Sequence, residues 1–179
     1  MTLKNLMILL TFIGIFSLTY AQAEDASSVI SRKWDQSTGI SKVYFGYTGA
    51  TADVGLSHER RLKNIGWDVL ALFSADDNDG IEVRDEQYHL SSSLVYHVVD
   101  NSAGDVYVGT GLAAVLHNDT GVRNDGTEFA LGPTIKLGGD YYFNNNWSLG
   151  LEYLSVFNWT NDMLAGNQDY ALLNVGYTY

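Results

Sequence analysis

The sequence predicts an all-β chain closed into an eight-stranded antiparallel up-and-down transmembrane β-barrel. Three observations carry that expectation. Apolar residues recur at every second position over runs of ten residues or more, the runs number eight, and eighteen glycines stand against one proline with 13% aromatics. A half-buried strand of a soluble sheet averages about five or six residues, so runs of twice that length fit strands that cross a bilayer at a tilt. The composition also excludes much. A disordered chain would be poorer in aromatics and richer in charge. With no cysteine there is no disulfide, thiolate zinc site or cysteine nucleophile. The net charge of -11 opposes nucleic acid phosphates.

Residues 1–23 read as a secretory signal peptide. Lys4 precedes a charge-free apolar run from Leu6 to Leu18, and Ala21-Gln22-Ala23 supplies a small-residue cleavage site. The alternative, an uncleaved membrane anchor, is disfavoured by the shortness of the run. Loss of this leader removes one base and no acid, leaving 9 basic against 21 acidic groups, a net of -12. Residues 24–40 form a periplasmic N-terminal segment. Ile30 and Trp34, spaced i, i+4 with Val29 and Ile40 nearby, suit a short amphipathic helix at the interface, and a disordered leader is an equal reading.

The barrel spans 41–179. Its expected strands are 41–49, 51–62, 65–76, 86–99, 105–118, 128–143, 147–160 and 169–179. Connections at Lys63-Asn64, Asp100 to Gly104 and Asn144 to Asn146 are short, whereas 77–85, 119–127 and 161–168 are longer and polar. That alternation matches turns on one side of a membrane and loops on the other, with Gly49-Ala50-Thr51 as a loop-side exception. The outward aromatics then gather at two heights. Trp67, Tyr96, Tyr141, Phe143, Trp147, Tyr177 and Tyr179 lie toward the short turns; Tyr47, Phe73, Tyr88, Phe129, Phe157 and Trp159 lie toward the loops. Lys42, Glu59, Arg61, Asp68, Lys136, Asp140 and Glu152 fall on the opposite, lumenal face. A one-residue slip of the seventh strand would put Glu152 in lipid, so its register is well specified.

The terminal Leu173-x-Val175-x-Tyr177-x-Tyr179 and the stretch from Lys136 through Asn144-Asn145-Asn146 to Tyr153 resemble segments of the small eight-stranded outer-membrane barrels of Gram-negative bacteria. That group includes OmpX, OmpW and the OmpA transmembrane domain. Chain length and the acidic turn from Ser74 to Gly80 are faintly similar to YfaZ-type barrels. The resemblance implies residence in the outer membrane, contact with its lipids and lipopolysaccharide, and recognition of the C-terminal aromatic segment by the assembly machinery. An envelope-structural or loop-mediated role without enzymatic activity is the expected function. Two rivals stand beside it: a lipid A acyl hydrolase or transferase on the same barrel, and a narrow conduit for small hydrophobic solutes, as the OmpW likeness implies. A soluble lipocalin-like barrel would not carry an apolar exterior with two aromatic girdles.

No catalytic, cofactor-binding or metal residue is assigned. Eight strands leave an interior that side chains fill, which argues against a general porin. A three-residue turn at 144–146 sets Lys136 opposite Leu154 and diagonal to Glu152, with Asp140 opposite Gly150, so a charge network is expected to plug the lumen. His89 and Ser91 share a lumenal face at a spacing that a serine nucleophile and its base would need. The same pair in lipid A deacylases comes late in the chain and faces lipid, so lumenal packing is the stronger reading. His97 lies on the same strand; His58 is expected outward, and His117 at the outer rim. The loop from Asp76 to Glu86 partly matches a calcium loop at Asp77, Asp79, Gly80 and Glu86, but Ala75 occupies the first ligand position. Solvated acids, or loose divalent bridging to lipopolysaccharide, fit it better.

Overall fold

The computed structural model describes residues 38–48, 51–77, 84–100, 103–120, 125–144, 146–160 and 167–179. They form β1 (Thr38–Thr48), β2 (Thr51–Leu62), β3 (Ile65–Asp77), β4 (Arg84–Asp100), β5 (Gly104–Thr120), β6 (Asp125–Tyr142), β7 (Trp147–Phe157) and β8 (Asn167–Thr178). Each strand pairs antiparallel with its chain neighbours, and β1 pairs with β8 from Ile40↔Thr178 to Gly46↔Leu172 to close the barrel. The expected leader at 1–23 and most of the segment 24–40 lie outside the described residues. The barrel begins three residues earlier than expected, and Ile40 is a buried β1 residue.

Strand alternation is inverted relative to a soluble protein. Leu56, Leu94, Leu112, Ile135, Leu149, Leu151 and Leu173 are exposed, while Lys42, Glu59, Arg61, Asp68, Lys136, Asp140 and Glu152 are buried. In water, a belt of that size would be a severe liability. Facing hydrocarbon it costs nothing, and closure gives every strand a hydrogen-bonded neighbour on both sides. Both sets of girdle aromatics face outward, from Trp67, Tyr141 and Tyr179 at one end to Tyr47, Phe129 and Trp159 at the other. We expect the folded protein to migrate differently on SDS gels before and after boiling, because a closed ladder offers detergent no free edge within the bilayer span. Identical migration would contradict the closed barrel.

The strands depart from expectation at the loop side. β4, β5 and β6 run on through Arg84↔Thr120 and Thr120↔Asp125, so β3 to β6 stand higher than their neighbours. The sequence of these extensions is polar, so pairing continues where the alternating pattern has ended. β7 stops earlier than expected. Its last ladder pair with β6 is Thr134↔Val156, next to Pro133, which has no N–H to donate. At Gly132 an added Cβ would lie 1.7 Å from the Phe157 carbonyl oxygen, so only glycine permits that crossing.

Candidate functional site

The candidate site is the lumen, where the strands deliver two stacked layers of different chemistry. At the short-turn end, Arg61 is fully buried. Its Nη1 donates to Asp105 (2.9 Å), its Nη2 to Asp100 (2.7 Å) and its Nε to the Lys63 carbonyl (2.7 Å). A register shift between His97 and Val99 places the extra residue, Val98, outside and turns Asp100 toward Arg61. His97 bridges Asp105 through Nδ1 and Glu59 through Nε2, the latter at 2.7 Å.

A second group lies one level further in. Lys42 Nζ donates to Asp140 (2.7 Å) and to the Tyr107 hydroxyl (3.1 Å), and Tyr107 donates in turn to Glu152 (2.7 Å). Glu152 also accepts from Tyr44 at 3.2 Å. The register is as expected, with Lys136 opposite Leu154 and Asp140 opposite Gly150. Lys136 does reach Glu152, at 3.5 Å, but its shorter contact is Asp68, at 2.6 Å across the barrel. Sequence periodicity puts both on the lumenal face without signalling that they meet. Burying such charges is tolerable only where each is matched and hydrogen-bonded, and this interlocked set meets that condition for most of its members.

Toward the loops the filling becomes apolar, with Tyr44, Leu70, Leu72, Ala113, Val115, Ala130, Leu154, Val156, Tyr170 and Leu172 in one buried cluster. His89 and Ser91 point into this part. Neither ring nitrogen of His89 nor Ser91 Oγ has a hydrogen-bond partner among the described residues, and the imidazole packs edge-on to Tyr170, ring centres 5.5 Å apart. The structure therefore brings the two residues to one face without joining them as nucleophile and base. His58 faces outward, bonded to Ser41 and Tyr179. His117 lies half-buried near the loop end of β5. Of the calcium-like positions, Asp79 and Gly80 lie outside the described residues. Ala75 and Glu86 are ladder partners, so the ends of that segment are paired strand and do not curl as a ligand loop does. Among the described residues no group of three His, Asp or Glu side chains is arranged so that it could hold a metal ion.

Neither a protein-family model nor any curated protein matches the chain. Solved structures do match. The N-terminal β-barrel domain of Pseudomonas aeruginosa OprF superposes with a TM-score of 0.63 at 18% identity, over 80% of this chain and 100% of that one. A major outer membrane protein from Thermus thermophilus gives 0.57 at 11% identity, over 80% and 99%. The Yersinia pestis attachment invasion locus protein Ail gives 0.56 at 13%, over 81% and 99%. At these identities the likeness is one of fold, and it agrees with the apolar, aromatic-girdled exterior: the chain has the fold of the small eight-stranded outer-membrane β-barrels.

Proposed function

We propose that this outer-membrane barrel is a non-enzymatic envelope protein that works through its wall and outer rim. The observation that supports this reading most is the filled lumen. Lys42, Arg61 and Lys136 are each tied to carboxylates contributed by other strands, and an apolar plug lies above them. The rim offers the contact surface. Above Thr134, the described part of β6 is linked on its β7 side only by Trp159 N–H to the Leu131 carbonyl (3.0 Å) and by Leu131 N–H to Thr160 Oγ1 (2.9 Å). The backbone of Thr127 and Phe129 pairs with β5 alone among the described residues, and an edge of that kind suits strand pairing with a partner.

Two measurements test the proposal against its rivals. Refolded protein in planar bilayers should show no conductance steps, and lipid A mass spectra should be the same with and without expression. Stable channels would establish a conduit instead, and deacylated lipid A would establish an enzyme.

The assembly machinery is the partner at the C-terminus. Tyr179 closes the seam through its backbone, exchanging hydrogen bonds with Gly39 at 3.0 and 3.1 Å, while its side chain is 61% exposed. Removing the ring should therefore harm the finished barrel little. Tyr179→Ala should refold into micelles nearly as well as wild type yet accumulate several-fold less in outer membranes. Normal accumulation in cells would defeat the signal reading.

A further inference from the structure

Among the described side chains, two cations are exposed, and they lie three residues apart at the short-turn end of β2. Arg60 on β2 and Lys63 in the β2–β3 turn are exposed, whereas Lys42, Arg61 and Lys136 are buried in the lumen. Ion pairs among the described residues engage those three lumenal cations, and Arg60 and Lys63 make none. At the opposite end Glu86 and Asp169 lie on the outward face, at least partly exposed, and Glu128 lies partly exposed on the lumenal face of the rim.

The surroundings of Arg60 are built. Its ladder partners are Gly39 on β1 and Trp67 on β3. The Tyr179 ring covers Gly39 so closely that an added Cβ would lie 2.7 Å from it. The Tyr179 hydroxyl reaches His58 Nδ1 at 3.3 Å, and Ser41 Oγ reaches the same nitrogen at 3.2 Å. Arg60 thus stands at the height of the girdle, where an outward charge meets headgroups and not hydrocarbon. Lys63 adds a second sign. It holds a left-handed backbone, φ 53°, which glycine or asparagine adopts more cheaply, and Arg61 Nε pins its carbonyl from inside the barrel. A residue kept in a conformation unfavourable to it points to use of its side chain.

We propose that Arg60 and Lys63, framed by Trp67, Tyr179 and His58, hold the phosphate of an anionic glycerophospholipid at the short-turn rim. A guanidinium and an ammonium supply charge-assisted donors to the phosphodiester, and the rings set its depth. Lipopolysaccharide is the poorer fit, because it would meet the acidic end. This site rests on the membrane reading above.

Native mass spectrometry of the refolded protein, titrated with phosphatidylglycerol or with phosphatidylcholine of the same acyl chains, tests the site. Phosphatidylglycerol should bind about ten-fold more tightly, and Arg60→Gln/Lys63→Gln should abolish the preference, whereas Glu128→Gln should not. Lys63→Gly relieves the turn, so it should weaken lipid binding while leaving the barrel at least as stable. Equal binding of the two lipids, or an unchanged preference in the double variant, would overturn the proposal. So would release of the lipid by millimolar inorganic phosphate, which would make free phosphate the ligand. Absence of a heat-dependent gel shift in the wild type would remove the barrel reading itself and this site with it.

Discussion

Arg61→Met is expected to destabilise the refolded barrel by about 3–5 kcal/mol, the range for deleting one partner of a buried ion pair. The check is a shift of the urea midpoint in lipid vesicles. Arg61 is buried completely and its fork serves three acceptors on separate parts of the short-turn end: Asp105 on β5, Asp100 past the bulge on β4, and the Lys63 carbonyl in the β2–β3 turn. The first two lose their salt bridges to it. The third is the carbonyl of a residue in left-handed conformation, so the turn loses the bond that offsets its strain. Arg61→Lys restores the charge but cannot reach all three acceptors from one nitrogen, and it should recover less than half of the loss. A wild-type midpoint for Arg61→Met would mean that the charge network does not hold this end together.

What can be read from the sequence and what cannot divide along one physical line. Lipid on one face and a polar interior on the other impose period two, so residues such as Leu149, Leu151 and Tyr153 against Ser148, Gly150 and Glu152 announce strand, face and register at once. A short turn carries that register to the next strand, which is why Lys136 opposite Leu154 is derivable. Contacts across the lumen are different, because they depend on the stagger with which the sheet closes, and no local pattern encodes stagger. Hence Lys136 with Asp68, and Lys42 with Asp140, are beyond reach although all four faces are right. Asp100 reads as turn because the bulge at Val98 changes which face it meets, and nothing in Val98-Val99 marks a bulge. The loop-side extensions of β4 to β6 escape the pattern for the opposite reason. Arg84, Thr120 and Asp125 lie beyond the apolar belt, where backbone pairing persists without any demand on hydrophobicity.

That same division decides how the central lysine should behave. Lys136→Met should cost about 3–5 kcal/mol, since it strands Asp68 and Glu152 in the lumen with no ammonium between them. The informative comparison is between two double variants. Local register alone makes Glu152 the partner, so Lys136→Met/Glu152→Leu would be the compensated pair. The geometry makes Asp68 the nearer partner, at 2.6 Å against 3.5 Å. Glu152 has other donors, the Tyr107 hydroxyl at 2.7 Å and the Tyr44 hydroxyl at 3.2 Å, whereas the described hydrogen bond of the Asp68 carboxylate is the one from Lys136. Removing Glu152 therefore leaves Asp68 uncompensated and takes the acceptor from the buried Tyr107 hydroxyl, at a cost of about 1–3 kcal/mol, while Tyr44 keeps Ser57 Oγ at 3.3 Å. Lys136→Met/Asp68→Leu removes a matched charge pair and keeps the tyrosine–glutamate bonds intact. It should regain most of the lost stability, while Lys136→Met/Glu152→Leu should unfold at or below the urea concentration of Lys136→Met alone. The reverse order would show that the β6–β7 neighbour, and not the residue across the barrel, governs the charge of the plug.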